Sequence, residues 1–133
     1  MFFELLIEPP QVRALPPVEL FDASRVDFEG GPHGRLIVAA PPKLSAVLAS
    51  AFLALEDQTA DPSSIAFVLG ELANMLCGST LGRLRPDGTF RLSAPATQLG
   101  QTRVEQAGTN CDWIRFSLDS GPLYVGIKLE VSP

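Results

Sequence analysis

A chain of 133 residues with 46% hydrophobic and 19% charged side chains has the composition of a folded protein, with length for one core and no room for a second full domain. Its formal net charge of -5, with arginines scattered among acidic and apolar positions, argues against a nucleic-acid surface. The longest uncharged apolar run, Leu44 to Leu55, is too short for the ~20 residues that span a membrane.

The first ten residues, MFFELLIEPP, lack the basic start of a signal peptide and break at Pro9. They read as a first strand of a cytoplasmic protein. Pro9, Pro10, Pro16 and Pro17 keep the following stretch extended or looped, because proline fixes its own φ and pushes its predecessor out of the helical region. Val18 to Gly31 has room for a strand, and Gly34 to Ala40 reads more clearly as one. From Leu44 to about Glu56, the positions Leu44, Val47, Leu48, Ala51, Phe52 and Leu55 recur as the single buried stripe of a helix.

A polar loop follows, and then Asp61 is placed to cap a second helix with Pro62 in its first turn. Gly78 or Gly82 is expected to close that helix. Beyond it the period changes to two: Phe90 to Pro95, a stretch near Thr102 to Gln106, Asp112 to Asp119 and Leu123 to Val131 read as strands. Asp87-Gly88 and Ser120-Gly121-Pro122 supply turns. The order predicts one α+β domain over residues 1 to 133, proline-rich in its first 33. Its expected architecture is a mostly antiparallel sheet covered on one face by two main helices.

The second helix carries the chemistry. At about 100° per residue, Ile65, Val68, Leu69, Leu72, Met75 and Leu76 gather in one arc expected to face the sheet. Phe67, Gly70, Glu71, Asn74 and Gly78 fall roughly opposite. A helix side that meets only water usually holds Lys and Glu pairs, and a mid-helix glycine costs about 1 kcal/mol relative to alanine. Gly70 therefore needs a reason, either approach of another surface or tight packing inside the same domain. Glu71 and Asn74, three residues apart, project from adjacent turns: a carboxylate ready for a cation beside an amide that both donates and accepts.

The other reactive side chains have plainer explanations. Cys77 and Cys111 have no CxxC or histidine spacing and read as reduced, small apolar residues. His33, the only histidine, lies in GGPHG and is expected in an exposed turn. Glu56, Asp57 and Asp61 read as a helix end, a loop and an N-cap rather than a cation site. GSTLG (Gly78 to Gly82) follows a helix rather than a strand, has no central serine, and so fails as a nucleophile elbow.

Several segments in order resemble the CheX-like chemotaxis phosphatases, relatives of CheC and FliY. They are FEGGPHGRLIVAAP (Phe28 to Pro41), the E-x-x-N-M-x-x-G helix (Glu71 to Gly78), the S-x-P-x-x-x-x-G segment (Ser93 to Gly100) and the terminal hairpin, together running from about Phe28 to Leu129. The resemblance implies a CheC-like fold and a helix that docks on a phosphorylated receiver domain of the CheY type, a response regulator of two-component signalling, and speeds hydrolysis of its aspartyl phosphate. It implies that Glu71 pairs with a receiver lysine and Asn74 positions the attacking water. Phe67, Gly70 and Gly78 are then interface residues. No cofactor is expected on this chain, and Mg2+ is expected on the receiver. Family members of the CheX type form dimers through their strands, which makes a homodimer one possible assembly. The alternative reading is a receiver-binding or flagellar-switch-like scaffold without catalysis.

Overall fold

The computed structural model describes residues 6–7, 20–54, 60–101 and 111–131. In chain order these form β1 (Leu6–Ile7), β2 (Phe21–Glu29), β3 (Pro32–Ala40), α1 (Pro42–Leu53), α2 (Pro62–Leu84), β4 (Arg91–Leu92), β5 (Ala96–Gln101), β6 (Asp112–Leu118) and β7 (Gly121–Val131). The seven strands make one antiparallel sheet in the order β1-β6-β7-β3-β2-β4, with β5 also pairing β2. Strands β4 and β5 thus share one edge of β2, meeting its end (Phe28–Glu29) and its start (Phe21–Arg25) respectively.

Alternation sorts the side chains. Val26 and Phe28 of β2, Leu36, Val38 and Ala40 of β3, and Leu123 and Val125 of β7 point to the helix side, where they meet Leu44 and Leu48 of α1 and Leu69, Ala73, Cys77 and Leu81 of α2. A second cluster, Phe21, Ile37, Ala39, Cys111, Trp113 and Tyr124, occupies the opposite face, with the Phe21 and Tyr124 rings edge to face at 5.6 Å. The fold is α+β as expected, with both helices on one face of the sheet.

The details depart from expectation where small residues decide the packing. In α1 the buried stripe is Leu44, Ser45, Leu48, Ala49 and Ser50, whereas Val47 and Ala51 are exposed. The stripe turns this way because the Ser45 hydroxyl donates to the buried carboxylate of Asp22, which also accepts from the Gly100 N–H at 2.7 Å. A polar tie therefore joins α1, β2 and β5 inside the core. Leu55, the last residue of the expected stripe, lies outside the described residues, as do Glu56, Asp57 and the expected strand at Thr102 to Gln106.

Asp61 caps α2 as predicted, its Oδ1 accepting from the Ser64 N–H at 2.8 Å, and this hydrogen bond holds its carboxyl below the ordinary range. The helix does not stop at Gly78 or Gly82. It runs on to Leu84, because Leu81 is drawn into the core and a helical glycine costs only about 1 kcal/mol. By length and composition α2 would suffice to cross a membrane, but its inner stripe is packed on the sheet.

The segment Phe90 to Pro95 holds a strand only at Arg91–Leu92. After it Ser93 clips back to β2, its N–H donating to the Asp27 carbonyl at 2.8 Å and its Oγ accepting from the Asp27 N–H at 2.9 Å. His33 is not in the turn either. The turn is Gly30-Gly31, whose φ values of 156° and 96° suit glycine, and His33 follows in β3, bonded to Glu130 at 3.0 Å.

Both cysteines are free and buried. Burial pushes the Cys77 thiol up to about 11 and raises that of Cys111 too. We expect neither to react with a thiol reagent at pH 8 until the chain is unfolded, which a labelling time course in and out of urea will show. The folded value of Cys77 lies above the ordinary 9.0, so its contribution to stability is intact below pH 9 and is lost as pH rises towards 11.

Candidate functional site

The outer side of α2 is set by what its inner side needs. Val68, Leu69, Gly70, Ala73, Cys77 and Leu81 are buried, and Ile65, Leu72 and Leu76 are partly buried against the core. Relative to the expected arc the helix is turned by roughly 60°, the angle gained when residues such as Gly70, Ala73 and Cys77 go inward. Two assignments change. Gly70 leaves the outer face: a Cβ there would stand 3.1 Å from Pro95 Cβ and 3.3 Å from Pro95 Cγ, so the glycine admits the proline of the β4–β5 link. Met75 goes the other way and is 58% exposed.

What remains outward is a ridge along successive turns: Phe67, 59% exposed, then Glu71, Met75, Gly78 and Gly82, all exposed. A Cβ on Gly78 or Gly82 would meet nothing within 4 Å, so the protein's own described packing does not require glycine at either place. Asn74 is half-buried beside this ridge, on the flank one turn along from Gly70. Among the described residues neither Glu71 nor Asn74 has a hydrogen-bond or ion-pair partner. The geometry offers an uncommitted carboxylate and, about 5–6 Å away between Cβ atoms, an uncommitted amide supported by a packed helix.

The position of α2 follows from its contacts with the edge of β2. Ser93 fixes the link after β4, Pro95 fills the notch left by Gly70, and Thr97 of β5 hydrogen-bonds to the buried Ser24 at 2.8 Å. Sequence reasoning found the S-x-P-x-x-x-x-G segment without finding this role. Pro95 after a Ser-bearing break was the signal for a contact rather than a strand.

A cavity of about 780 Å³ lies elsewhere. It is lined by the β2–β3 turn and by charged side chains of β2, β3 and β7 that point away from the helices. Most of those charges have a charged neighbour: Arg35, and Arg25 from outside the lining, each approach Asp27 at 3.7 Å, and Lys128 and His33 approach Glu130 at 3.2 and 3.0 Å, holding the Glu130 carboxyl low. Among the described residues no three His, Cys, Asp or Glu side chains gather as metal ligands.

Comparison with known proteins agrees with the fold. The chain resembles the crystal structure of the CheX–CheY–BeF3–Mg2+ complex from Borrelia burgdorferi, at TM-score 0.73 and 19% identity over 95% of this chain and 84% of that one. It also resembles the chemotaxis protein CheX from Vibrio vulnificus, at TM-score 0.75 and 17% identity over 96% and 84% of the two chains. A CheX from Desulfovibrio desulfuricans matches at TM-score 0.69 and 20% identity over 96% and 87%. No curated protein sequence matches. The model of the family "Chemotaxis phosphatase CheX" matches residues 23–117, and the chain belongs to that family.

Proposed function

We propose that this chain hydrolyses the aspartyl phosphate of a CheY-type receiver domain, with Asn74 orienting the attacking water and Glu71 pairing with a receiver lysine. The observation that carries this is the uncommitted Glu71–Asn74 pair of a firmly seated helix, Glu71 exposed on the outward ridge and Asn74 half-buried on its flank. Family membership supplies the reaction, and the Borrelia complex of CheX with CheY supplies the partner class. BeF3 in that complex has the shape and charge of a phosphoryl group.

In the reaction water attacks phosphorus in line, the bond from phosphorus to the aspartyl oxygen breaks, and phosphate leaves with the carboxylate restored. Such transfers need placement and charge stabilisation more than covalent help. The Asn74 amide accepts from the water with its oxygen and donates towards phosphoryl oxygens with its nitrogen, which fixes the water's lone pair on the phosphorus. Glu71 contributes association. Mg2+ belongs to the receiver, and acting there the chain works in the cytoplasm.

The test is phosphate release from a phosphorylated CheY-type receiver against increasing concentrations of this protein. A rate that rises and saturates is expected. Glu71→Ala should raise the half-saturating concentration severalfold with the plateau kept, and the gap from wild type should narrow as salt screens the ion pair. Saturable binding with no acceleration would leave a scaffold in place of the enzyme.

A further inference from the structure

We propose that Phe67 and Met75 are paired apolar anchors that select which receiver this protein accepts, seated one helical turn on either side of the Glu71 ion pair. The inference rests on the docking role of α2 given above and adds what the docked surface must look like. Phe67 and Met75 are the two most exposed large apolar side chains among the described residues, at 59% and 58%. Both lie on the ridge that carries Glu71, four residues before and four residues after it. At ~1.5 Å per residue each stands about 6 Å along the axis from the carboxylate.

Neither is needed by the fold. Gly70, Ala73 and Cys77 take the inward positions, and Met75 is outward although its apolar side chain would be at home in a core. Leaving a phenyl ring and a thioether in water on one helix face is costly unless a partner covers them, and aromatic and methionine side chains are enriched where protein surfaces meet. Beyond Met75 the ridge is bare at Gly78 and Gly82, which lets a partner approach the backbone.

The occupant is fixed by charge and spacing. A receiver that fits has a lysine for Glu71 with an apolar patch about 6 Å to either side of it, the phosphoryl group lying on the Asn74 flank. Receivers that keep the lysine but carry charged side chains in those two patches are rejected, since burying them unpaired against Phe67 or Met75 costs more than the ion pair returns.

The experiment titrates a BeF3-loaded, Mg2+-containing CheY-type receiver into the full chain as wild type, Phe67→Ser, Met75→Ser, the double variant and Leu20→Ser. Leu20 is a control of similar exposure, 50% exposed, immediately before β2. Binding should weaken about tenfold for each single variant and about 100-fold for the pair, with Leu20→Ser unchanged. In phosphate release the loss should fall on the half-saturating concentration, with the plateau within about twofold of wild type. Unchanged binding by Phe67→Ser and Met75→Ser overturns the proposal, as does a drop in their urea midpoints that accounts for the loss. If wild type binds through these residues but does not speed phosphate loss, the phosphatase reading fails and the anchors stand. If binding persists in both variants while phosphate loss is accelerated, the reverse holds.

Discussion

Asn74→Ala will lower the maximal acceleration of receiver dephosphorylation by about 100-fold or more, with little change in half-saturating concentration and none for the worse in stability. The rate loss follows from the role proposed for the amide: removing one pre-positioned hydrogen-bonding group from a reacting centre typically costs ~10²–10³. No other side chain on the outward ridge replaces it, since Phe67, Met75, Gly78 and Gly82 offer no side-chain hydrogen bond and Glu71 only accepts. Stability should hold because Asn74 has no hydrogen-bond partner among the described residues, and alanine is the better helix former by a few tenths of a kcal/mol. Asn74→Asp sharpens the test. It keeps size and position, loses the N–H donors and adds negative charge beside the phosphoryl group, so it should be as inactive as alanine. Single-turnover phosphate release and urea unfolding on the same preparations decide the matter. An alanine variant with the wild-type plateau would remove Asn74 from the chemistry.

The strands and helices were legible where a local rule governs them. β3, β6 and β7 lie within two residues of the alternating stretches that predicted them, and the start of α2 is where Asp61 and Pro62 put it. Sheet order was not legible. The pairing of β1 with β6, and the sharing of one edge of β2 by β4 and β5, join residues far apart in sequence and leave no periodic mark. Phe90 to Pro95, expected as one strand, keeps only Arg91–Leu92 for a related reason: its residues suit a strand, but Ser93 satisfies its backbone against Asp27 and Pro95 has no N–H to give a ladder.

For the site, the text of α2 marked Glu71 and Asn74 as polar residues on an otherwise apolar helix, and the structure leaves Glu71 exposed and Asn74 half-buried beside it. The exchange of Gly70 and Met75 has a physical cause. A wheel that sends every large apolar residue inward assumes that hydrophobicity alone sets the rotation. In α2 it is shape that sets it, because Ala73, Cys77 and Gly70 bring the helix close to the sheet and to Pro95, and this displaces Met75 outward. A helix apolar nearly all round has little amphipathic signal to fix its phase.

The same distinction between glycines that the fold needs and glycines that it merely tolerates yields the largest expected effect on stability, at Gly34. This residue sits in β3 between its neighbours β2 and β7, opposite Phe28 on one side and Leu129 on the other. A Cβ at Gly34 would fall on the Lys128 carbonyl oxygen, with the carbonyl carbon at 2.9 Å and the Phe28 ring at 3.0 Å. Neither neighbour has room to yield: the carbonyl is part of the β7 backbone, and Phe28 is wedged in the helix-side core. Overpacking a core usually costs ~1–3 kcal/mol, and a clash with backbone belongs at the top of that range or beyond it. Gly34→Ala should therefore lose about 3 kcal/mol or more and accumulate largely unfolded, read as a collapsed urea midpoint. Gly78→Ala should move the midpoint the opposite way by ~0.5–1 kcal/mol, because its Cβ enters open space and alanine lowers the entropy cost of the helix. The two results together separate the roles: if the added methyl at Gly78 raises stability yet also raises the half-saturating concentration for the receiver, the glycine is there for the partner and not for the fold. A gain at Gly34, or a loss at Gly78, would contradict the packing on which that separation depends.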